Sequence, residues 1–222
     1  MTDASQSRTE AHTEARARER MVMFAKSLFD RGLTNGSTGN ISVRLEDGSL
    51  LVTPTGSSMG FLDPAEISHI DPQGRLLSGL KPTKEMPLHS AFYETRTGTG
   101  AVVHLHTTHS TALSTLPEVD PDNVLPPITP YAIMKMGKVK LLPFFLPGDP
   151  AMGDAVRGLA GKRSAVLLAN HGPVVAGASL EAAVYAMEEL EENAKLALLL
   201  RGLPVRMLTP QQIADLMPKD DC

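Results

Sequence analysis

Two histidines separated by one residue, His104 and His106, are the residues of this sequence whose type and spacing best suit catalysis. They lie in the apolar, β-branched run 101–106, which predicts a β-strand. Because side chains two apart in a strand point to the same face, both imidazoles could bind one cation. A third candidate ligand, His171, ends a second apolar run that starts at Ala165. Three neutral imidazoles with an open fourth position are typical of a catalytic zinc site, since a structural site would be closed by four protein ligands.

The histidine pair also has less specific explanations. A His-x-His sequence in a strand occurs as ordinary packed or surface histidines. Cupins use the same pattern for metal binding, but there a carboxylate follows shortly afterwards. Between His106 and Glu118 this sequence contains neither Asp nor Glu, which weakens the cupin interpretation.

Hairpins mixed with helices surround these histidines in the predicted order of elements. A first helix is predicted from about Glu10 to Arg31, ending at Gly32, and a hairpin from 41–45 and 50–53 through Asp47-Gly48. Further strands are predicted at 67–70, 101–106, 139–144, 164–169 and 173–176, and further helices at 86–97, 108–115, 150–160, 179–201 and 210–217. This mixture favours an α/β fold with three layers, α/β/α, around a mainly antiparallel sheet.

Length and composition set limits on the class of protein. With 222 residues, 42% hydrophobic and 21% charged, the sequence predicts one globular domain over 11–205, a disordered tail over 1–10 and a C-terminal helix and tail over 206–222. A net charge of −4 disfavours nonspecific nucleic-acid binding. No apolar run approaches the roughly 20 residues that span a membrane, and the polar N-terminus is unlike a secretory signal. We therefore expect a cytoplasmic protein without a nucleic-acid or membrane partner.

Three short polar loops, 34–40, 53–58 and 81–85, lie between the predicted elements. Glycine lets the backbone approach an anion closely, and hydroxyl and N–H groups supply donors, so such loops suit a phosphate. Each loop taken alone is more commonly just a turn. None matches the P-loop or the dinucleotide-binding pattern, which argues against a nucleotide-driven reaction.

Several of these segments, taken in order, resemble the class II aldolase/adducin family: Gly39-Asn40-Ile41-Ser42-Val43-Arg44, Thr53-Pro54-Thr55-Gly56, Glu85, His104-Leu105-His106 and Asn170-His171-Gly172. The resemblance runs from about Met21 to Arg201. It implies a catalytic domain that binds one Zn²⁺ per subunit, or another divalent metal, through His104, His106 and His171. It also implies a homotetramer with active sites at subunit interfaces.

The resemblance assigns further residues to the site. Glu85 is implied as a carboxylate that can occupy the metal before substrate arrives and then act as acid or base, and Tyr131 as a second candidate acid. The implied phosphate-binding residues are Gly39, Asn40, Thr55, Gly56, Thr83 and Lys84. Where the fuculose-phosphate aldolases have Ser-Ser-Glu, this sequence has Thr83-Lys84-Glu85. The added ammonium would strengthen an anion site or contact a substrate carboxylate, and the alternative is a solvated side chain at the start of a helix.

Within the family, the segments 82–89, 131–137 and 146–149 most resemble carboxy-lyases of bacterial acid-sugar catabolism. These enzymes convert a 3-oxo-tetronate 4-phosphate to dihydroxyacetone phosphate and CO2 through a metal-stabilised enediolate. A small phosphorylated sugar acid is therefore the implied substrate. Two alternatives stay open: a sugar-phosphate aldolase or epimerase of the fuculose- or ribulose-phosphate type, and a noncatalytic adducin-like module.

Three other features receive structural interpretations. His89 and His109 are interpreted as structural residues or as residues behind the ligands. The acidic run 188–192 predicts the solvent-exposed face of a long helix.

Overall fold

The computed structural model describes residues 3–217, and their side chains from residue 13 onward. The chain divides into two compact units, Met1–Lys84 and Glu85–Cys222. The division falls at the end of the third polar loop, inside the range predicted as one domain. No Gly- or Ser-rich linker marks this point in the sequence. The single domain over 11–205 therefore stays a prediction.

The first unit consists of one long helix and four short strands. Its elements are α1 (Asp3–Asp30), β1 (Asn40–Arg44), β2 (Leu50–Val52), a 3₁₀ helix (Met59–Phe61), β3 (Ser68–Ile70) and β4 (Leu76–Ser78). The strands lie in the order β4-β3-β2-β1 and every neighbouring pair is antiparallel. The sequence predicted neither β4 nor the 3₁₀ helix. All three residues of β4 are exposed, so that strand has no buried apolar side that a sequence pattern could show.

Helix α1 begins earlier than predicted. Residues 3–10 are helical, whereas the sequence interpretation placed a disordered tail there and the helix start at about Glu10. That stretch is polar but contains no Gly or Pro that would stop a helix, so the helix extends through it. The end is as predicted, with Gly32 at φ +75 just after the last turn. The apolar face is buried through Met21, Ala25 and Leu28.

The predicted hairpin of β1 and β2 is confirmed. Ser42 pairs with Val52 and Arg44 with Leu50, and Gly48 turns the chain at φ +84. A glycine is needed there because side chains rarely adopt that backbone conformation.

The second unit contains the histidines. Its helices are α2 (Met86–Thr95), α3 (Thr108–Ser114), α4 (Pro130–Met136), α5 (Ala151–Arg157), α6 (Leu180–Leu199) and α7 (Pro210–Leu216). Its strands are β5 (Ala101–His104), β6 (Lys140–Leu142), β7 (Ala165–Leu168) and β8 (Gly172–Gly177), in the order β5-β8-β7-β6. Only β6 and β7 are parallel. The predicted mainly antiparallel α/β arrangement is therefore correct within each unit.

Strands β5, β7 and β8 of the second unit are buried on both faces, whereas β6 is only partly buried. Every residue of β5 and β7 is buried, which explains why these segments read as unbroken apolar runs. Helix α6 packs against β5 and β8, and α2 packs against α5. None of the described helices combines the length and the apolar character needed to cross a bilayer.

Two elements of the second unit, β5 and α4, differ from the sequence prediction, and the C-terminal helix agrees with it. Strand β5 ends at His104, two residues earlier than predicted. Helix α4 was not predicted, because Pro126, Pro127 and Pro130 suggest a loop, although proline is well tolerated in a first helical turn. The predicted C-terminal helix is confirmed, and it begins with a capping box: the Thr209 hydroxyl accepts from Gln212 N at 3.3 Å, and Gln212 Oε1 accepts from Thr209 N at 2.9 Å.

Candidate metal centre

The imidazoles of His104, His106 and His171 meet at one point of the second unit. Their Nε2 atoms are separated by 3.2 Å (His104 to His106), 3.3 Å (His104 to His171) and 3.0 Å (His106 to His171). Zinc–imidazole bonds of about 2.0–2.1 Å at tetrahedral angles put ligand nitrogens about 3.3 Å apart. The three nitrogens therefore have the spacing that a single divalent cation requires. Among the described residues, this is the one cluster of potential ligands with that spacing.

His104 is held at the end of β5 by its neighbouring strand. The residue is fully buried and pairs with Val174 of β8. Its Nδ1 lies 2.9 Å from the carbonyl oxygen of Pro173, which can only accept, so Nδ1 carries the proton. In the neutral ring the lone pair is then on Nε2 and points into the cluster. This is the tautomer that a metal ligand needs.

His106 reaches the cluster although it lies beyond the end of β5. Leu105 N still donates to Pro173 O at 3.2 Å, so the chain stays extended for one more residue. Leu105 is fully buried, while the ring of His106 turns to the same side as that of His104. The predicted convergence of residues two apart is correct, although the regular strand is shorter than predicted.

The turn between β7 and β8 supplies His171. Asn170 adopts a left-handed conformation at φ +57, which asparagine tolerates better than most residues, and His171 N donates to Leu168 O at 3.2 Å. Gly172 follows, where an added Cβ would lie 2.3 Å from the carbonyl oxygen of Leu105. Glycine therefore lets this turn approach the His106 segment closely enough for the rings to meet.

Glu85 places a carboxylate beside the same nitrogens. Its Oε2 lies 3.4 Å from His104 Nε2 and its Oε1 lies 3.6 Å from His171 Nε2, and the residue is only 4% exposed. It precedes the first turn of α2, where an acidic side chain could cap the helix. It makes no such cap hydrogen bond. The carboxylate is directed toward the imidazoles, where it can act as a fourth ligand or move a proton.

Burial favours the neutral form of the His104 and His106 imidazoles. Burial lowers the pKa of His104 to about 4, with further lowering by His106 and His171 that the Glu85 carboxylate opposes. Burial also lowers the pKa of His106. Histidine binds metal only when deprotonated, so both rings are in the ligating form at neutral pH.

His89 lies near the cluster but has a different environment. It is fully buried in α2, and burial lowers its pKa to about 3, with a smaller lowering by His104. The sequence interpretation placed it behind the ligands, and its electrostatic coupling to His104 and Glu85 is in keeping with that position.

The burial of neutral His89 predicts acid lability of the metal-free protein. The unfolded chain takes up a proton near pH 6.5, whereas native His89 resists protonation until about pH 3, so acid favours unfolding. Between pH 7.5 and 5.0 this residue should reduce the free energy of unfolding by about 2 kcal/mol. Urea unfolding in the presence of a chelator measures it. A His89→Asn variant should show a pH dependence shallower by that amount, and an equal slope in both proteins would contradict the assignment.

The acidic run 188–192 was only partly predicted. Glu192 is exposed, as expected, but the Glu191 side chain is turned inward and accepts hydrogen bonds from His109 and Ser110. Hydrogen bonds from those groups lower the pKa of Glu191 despite its partial burial. Sequence reasoning missed this residue because nothing in a Glu-rich run distinguishes one carboxylate from its neighbours.

Tyr131, the second candidate acid, lies in the first turn of α4 and is 60% exposed. It is not a packed core residue. Tyr185 on α6 is also half exposed, with Lys135 Nζ 6.0 Å from its ring centre.

The candidate phosphate-binding residues lie in the first unit, where local hydrogen bonds connect the three polar loops. Thr53 Oγ1 accepts from Ile41 N at 3.1 Å, Thr83 N donates to Thr53 O at 3.2 Å, and Thr55 N donates to Lys81 O at 3.0 Å. The backbones beside Asn40, Thr55 and Thr83 are thereby joined. The sequence order of these loops gave no indication of this pairing.

The individual side chains of this set differ in exposure. Asn40 and Thr83 are buried, whereas Thr55 and Lys84 are exposed. Gly39 and Gly56 have φ of +78 and +73, and a Cβ at Gly56 would meet nothing within 4 Å. The loops thus offer polar groups and open backbone, as anion binding requires.

Comparison with known proteins agrees with this geometry. A 3-oxo-tetronate 4-phosphate decarboxylase of Escherichia coli O6:H1 is 50% identical over 206 residues, which cover 93% of this chain and 97% of that protein. An L-fuculose phosphate aldolase of Methanococcus maripaludis is 34% identical, covering 82% of this chain and 96% of the other.

A solved structure shares the fold of this chain as well. The crystal structure of Escherichia coli YgbL, described as a candidate aldolase, epimerase or decarboxylase, superposes with a TM-score of 0.90 at 49% identity, covering 92% of this chain and 99% of that one. This confirms the predicted α/β fold class. Residues 19–198 match the family model of the class II aldolase and adducin N-terminal domain. The chain therefore belongs to the class II aldolase and adducin family.

Proposed function

We propose that this protein is a metal-dependent decarboxylase that converts a 3-oxo-tetronate 4-phosphate to dihydroxyacetone phosphate and CO2. The observation that carries the proposal is the Glu85 carboxylate, 3.4–3.6 Å from the Nε2 atoms of two imidazoles in a cluster of three. That arrangement combines a cation site with a group that can move a proton. The 50% identical decarboxylase of Escherichia coli supports the choice of substrate.

The donor set fits a divalent cation, and we propose zinc, one ion per subunit. Three neutral nitrogen ligands at tetrahedral spacing are typical of catalytic zinc sites. A bound cation would supply Lewis-acid stabilisation of the negative charge that develops on the substrate ketone oxygen. His104, His106 and His171 would hold it, with Glu85 as a resting ligand.

The reaction itself requires one bond to break and one proton to be added. The bond between C1 and C2 of the 3-oxo acid breaks, CO2 leaves, and the electron pair stays on C2, conjugated with the C3 ketone as an enediolate. Protonation at C2 then gives dihydroxyacetone phosphate. We propose that the protonated form of Glu85 delivers this proton, because its carboxylate is fixed beside the cluster and is shielded from bulk water.

Tyr131 is the alternative proton donor. Its exposure on α4 is in keeping with a residue that contacts a neighbouring subunit, and exposed Met134 lies on the same helix. Large exposed apolar side chains are typical of interaction surfaces. We propose that Tyr131 contributes to the active site of an adjacent subunit, in the homotetramer that the family resemblance implies. We also propose that the protein acts in the cytoplasm.

Substrate anions are assigned to residues of the first unit. We propose that Gly39, Asn40, Thr55, Gly56 and Thr83 bind the phosphate through backbone N–H and side-chain groups. The exposed ammonium of Lys84 carries the positive charge in this set, and we assign it to the phosphate or the substrate carboxylate. Local positive charge is needed here because the chain as a whole carries −4.

A sugar-phosphate aldolase is the second candidate, and the 34% identical aldolase of Methanococcus maripaludis favours it. Loss of CO2 and loss of an aldehyde leave the same type of carbanion, so the cluster and Glu85 serve either reaction. A noncatalytic module is disfavoured, because a scaffold gains nothing from gathering three histidines, two of them buried, and a buried carboxylate around one point.

One experiment separates these candidates. Zinc-loaded protein is incubated separately with a 3-oxo-tetronate 4-phosphate and with fuculose 1-phosphate. We expect CO2 and dihydroxyacetone phosphate from the first and no aldehyde from the second. Release of an aldehyde without any CO2 would establish the aldolase instead. No turnover of either substrate by protein that holds stoichiometric metal would contradict both.

A further inference from the structure

We propose that Glu191 is a positioning residue for the metal centre and that it acts through helix α3. The proposal rests on the metal site of the proposed function. It goes beyond that function by assigning a role to a carboxylate that contacts none of the three candidate ligands. The chain of contacts runs from α6 through α3 to the segments that carry His106 and His171.

The Glu191 carboxylate is the acceptor for four hydrogen bonds at the start of α3. Its Oε1 accepts from His109 N at 2.8 Å and from His109 Nδ1 at 2.7 Å. Its Oε2 accepts from Ser110 N at 2.8 Å and from Ser110 Oγ at 2.6 Å. The side chain is only 13% exposed, so water competes little for these bonds.

Two of these hydrogen bonds satisfy backbone N–H groups at the start of α3 that the helix cannot satisfy by itself. The first N–H groups of any helix have no intrahelical acceptor, and they are usually capped by the residue just before the helix. Here Thr107 precedes α3 but makes no such cap hydrogen bond. Glu191 supplies the acceptors instead, from a helix 82 residues away along the chain.

Helix α3 in turn contacts both ligand segments. It begins at Thr108, two residues after His106, so its position determines where that ring can lie. Thr111 Oγ1 donates to His171 O at 3.2 Å, and Ser114 Oγ accepts from Asn170 N at 3.0 Å. The turn that carries His171, with its left-handed Asn170, is therefore fixed by the same short helix.

Helix α6, which carries Glu191, is itself held firmly by the sheet of the second unit. Helix α6 has 20 residues and packs against β5 and β8, the strands next to His104 and His171. A short helix of seven residues would have little stability of its own. Glu191 connects it to the longest helix of the second unit, and it thereby keeps the two ligand segments in register with the strands.

Glu191→Gln tests the proposal with little change of shape. The amide retains one acceptor oxygen but turns donors toward two N–H or O–H groups, so about half of the four hydrogen bonds are lost. We expect zinc affinity, measured by competition with a chromogenic chelator, to fall about tenfold. The visible absorption spectrum of the Co²⁺-loaded protein should also change, because the ligand geometry changes.

Glu192→Gln is the matched control. It removes the same charge from the adjacent residue of α6, whose carboxylate is 61% exposed and lies 3.9 Å from Lys195 Nζ. Its zinc affinity and Co²⁺ spectrum should equal those of the parent protein. If both variants lowered the zinc affinity equally, the cause would be the change in net charge and the proposal would be wrong.

Ser114→Ala tests the far end of the contact chain and does not depend on the folding of the Glu191 variant. It removes the acceptor of Asn170 N while leaving Glu191 in place, and we expect the same spectral change with a smaller loss of affinity. Parental affinity and spectrum in Ser114→Ala and in folded Glu191→Gln would overturn the proposal. If the parent protein itself bound neither Zn²⁺ nor Co²⁺, the proposed metal centre would fail, and this inference with it.

Discussion

His104→Ala is expected to lose bound metal and activity together. His104 is the one ligand of the three that is fully buried, and the hydrogen bond from its Nδ1 to Pro173 O leaves the Nε2 lone pair available for the cation. Two imidazoles and the Glu85 carboxylate would remain, and the nitrogen ligand of His104 would be missing. Because a catalytic metal contributes several kcal/mol of charge stabilisation, turnover should fall by at least about 10³-fold.

Elemental analysis of the purified variant, together with kcat, measures this outcome. A thermal unfolding scan of both metal-free proteins shows whether the variant still folds, since the substitution also leaves a cavity in the core. His69→Ala is a suitable control, because His69 lies outside the cluster and pairs with Ser49. A folded His104→Ala variant that contained no metal and turned over at the parental rate would remove the proposed mechanism.

Glu85→Gln is expected to separate metal binding from proton transfer. The amide has nearly the same shape but cannot donate a carboxylic proton, while the three imidazoles keep their geometry. The variant should retain most of its zinc and lose about 10²–10⁴-fold in kcat, the range typical of a missing general acid. The KM should change little, because the carboxylate is assigned to the proton transfer rather than to anion binding.

Measurement of kcat, KM and zinc content of Glu85→Gln beside Tyr131→Phe completes this test. If Glu85 is the proton donor, Tyr131→Phe should lose less activity than Glu85→Gln. A near-parental rate in Glu85→Gln with a large loss in Tyr131→Phe would assign the proton to the tyrosine. Loss of zinc from Glu85→Gln would show that the carboxylate is mainly a ligand.

The chemistry of the site was largely determined by local sequence. The His-x-His pair lies in an apolar run whose alternation directs both rings to one side, and this needs only the geometry of an extended chain. The hairpin at Asp47-Gly48 and the C-terminal helix were predicted for the same reason, since a turn or a short helix depends on a few adjacent residues. The second apolar run indicated His171 as a third candidate ligand, whereas Glu85 was indicated only by the resemblance of the ordered motifs to the family.

Tertiary structure decided which distant groups meet. His171 reaches His104 because β8 pairs antiparallel with β5, with Val174 opposite His104, and because Gly172 permits a close approach to Leu105. Glu191 turns inward to α3 although its sequence neighbours give it no distinction. Strand register and helix packing arise from contacts between residues far apart in the chain, and a local pattern of hydrophobic and polar residues carries little information about them. The sequence therefore determined which groups could perform the chemistry, and only the packing of strands and helices determined that they surround one point.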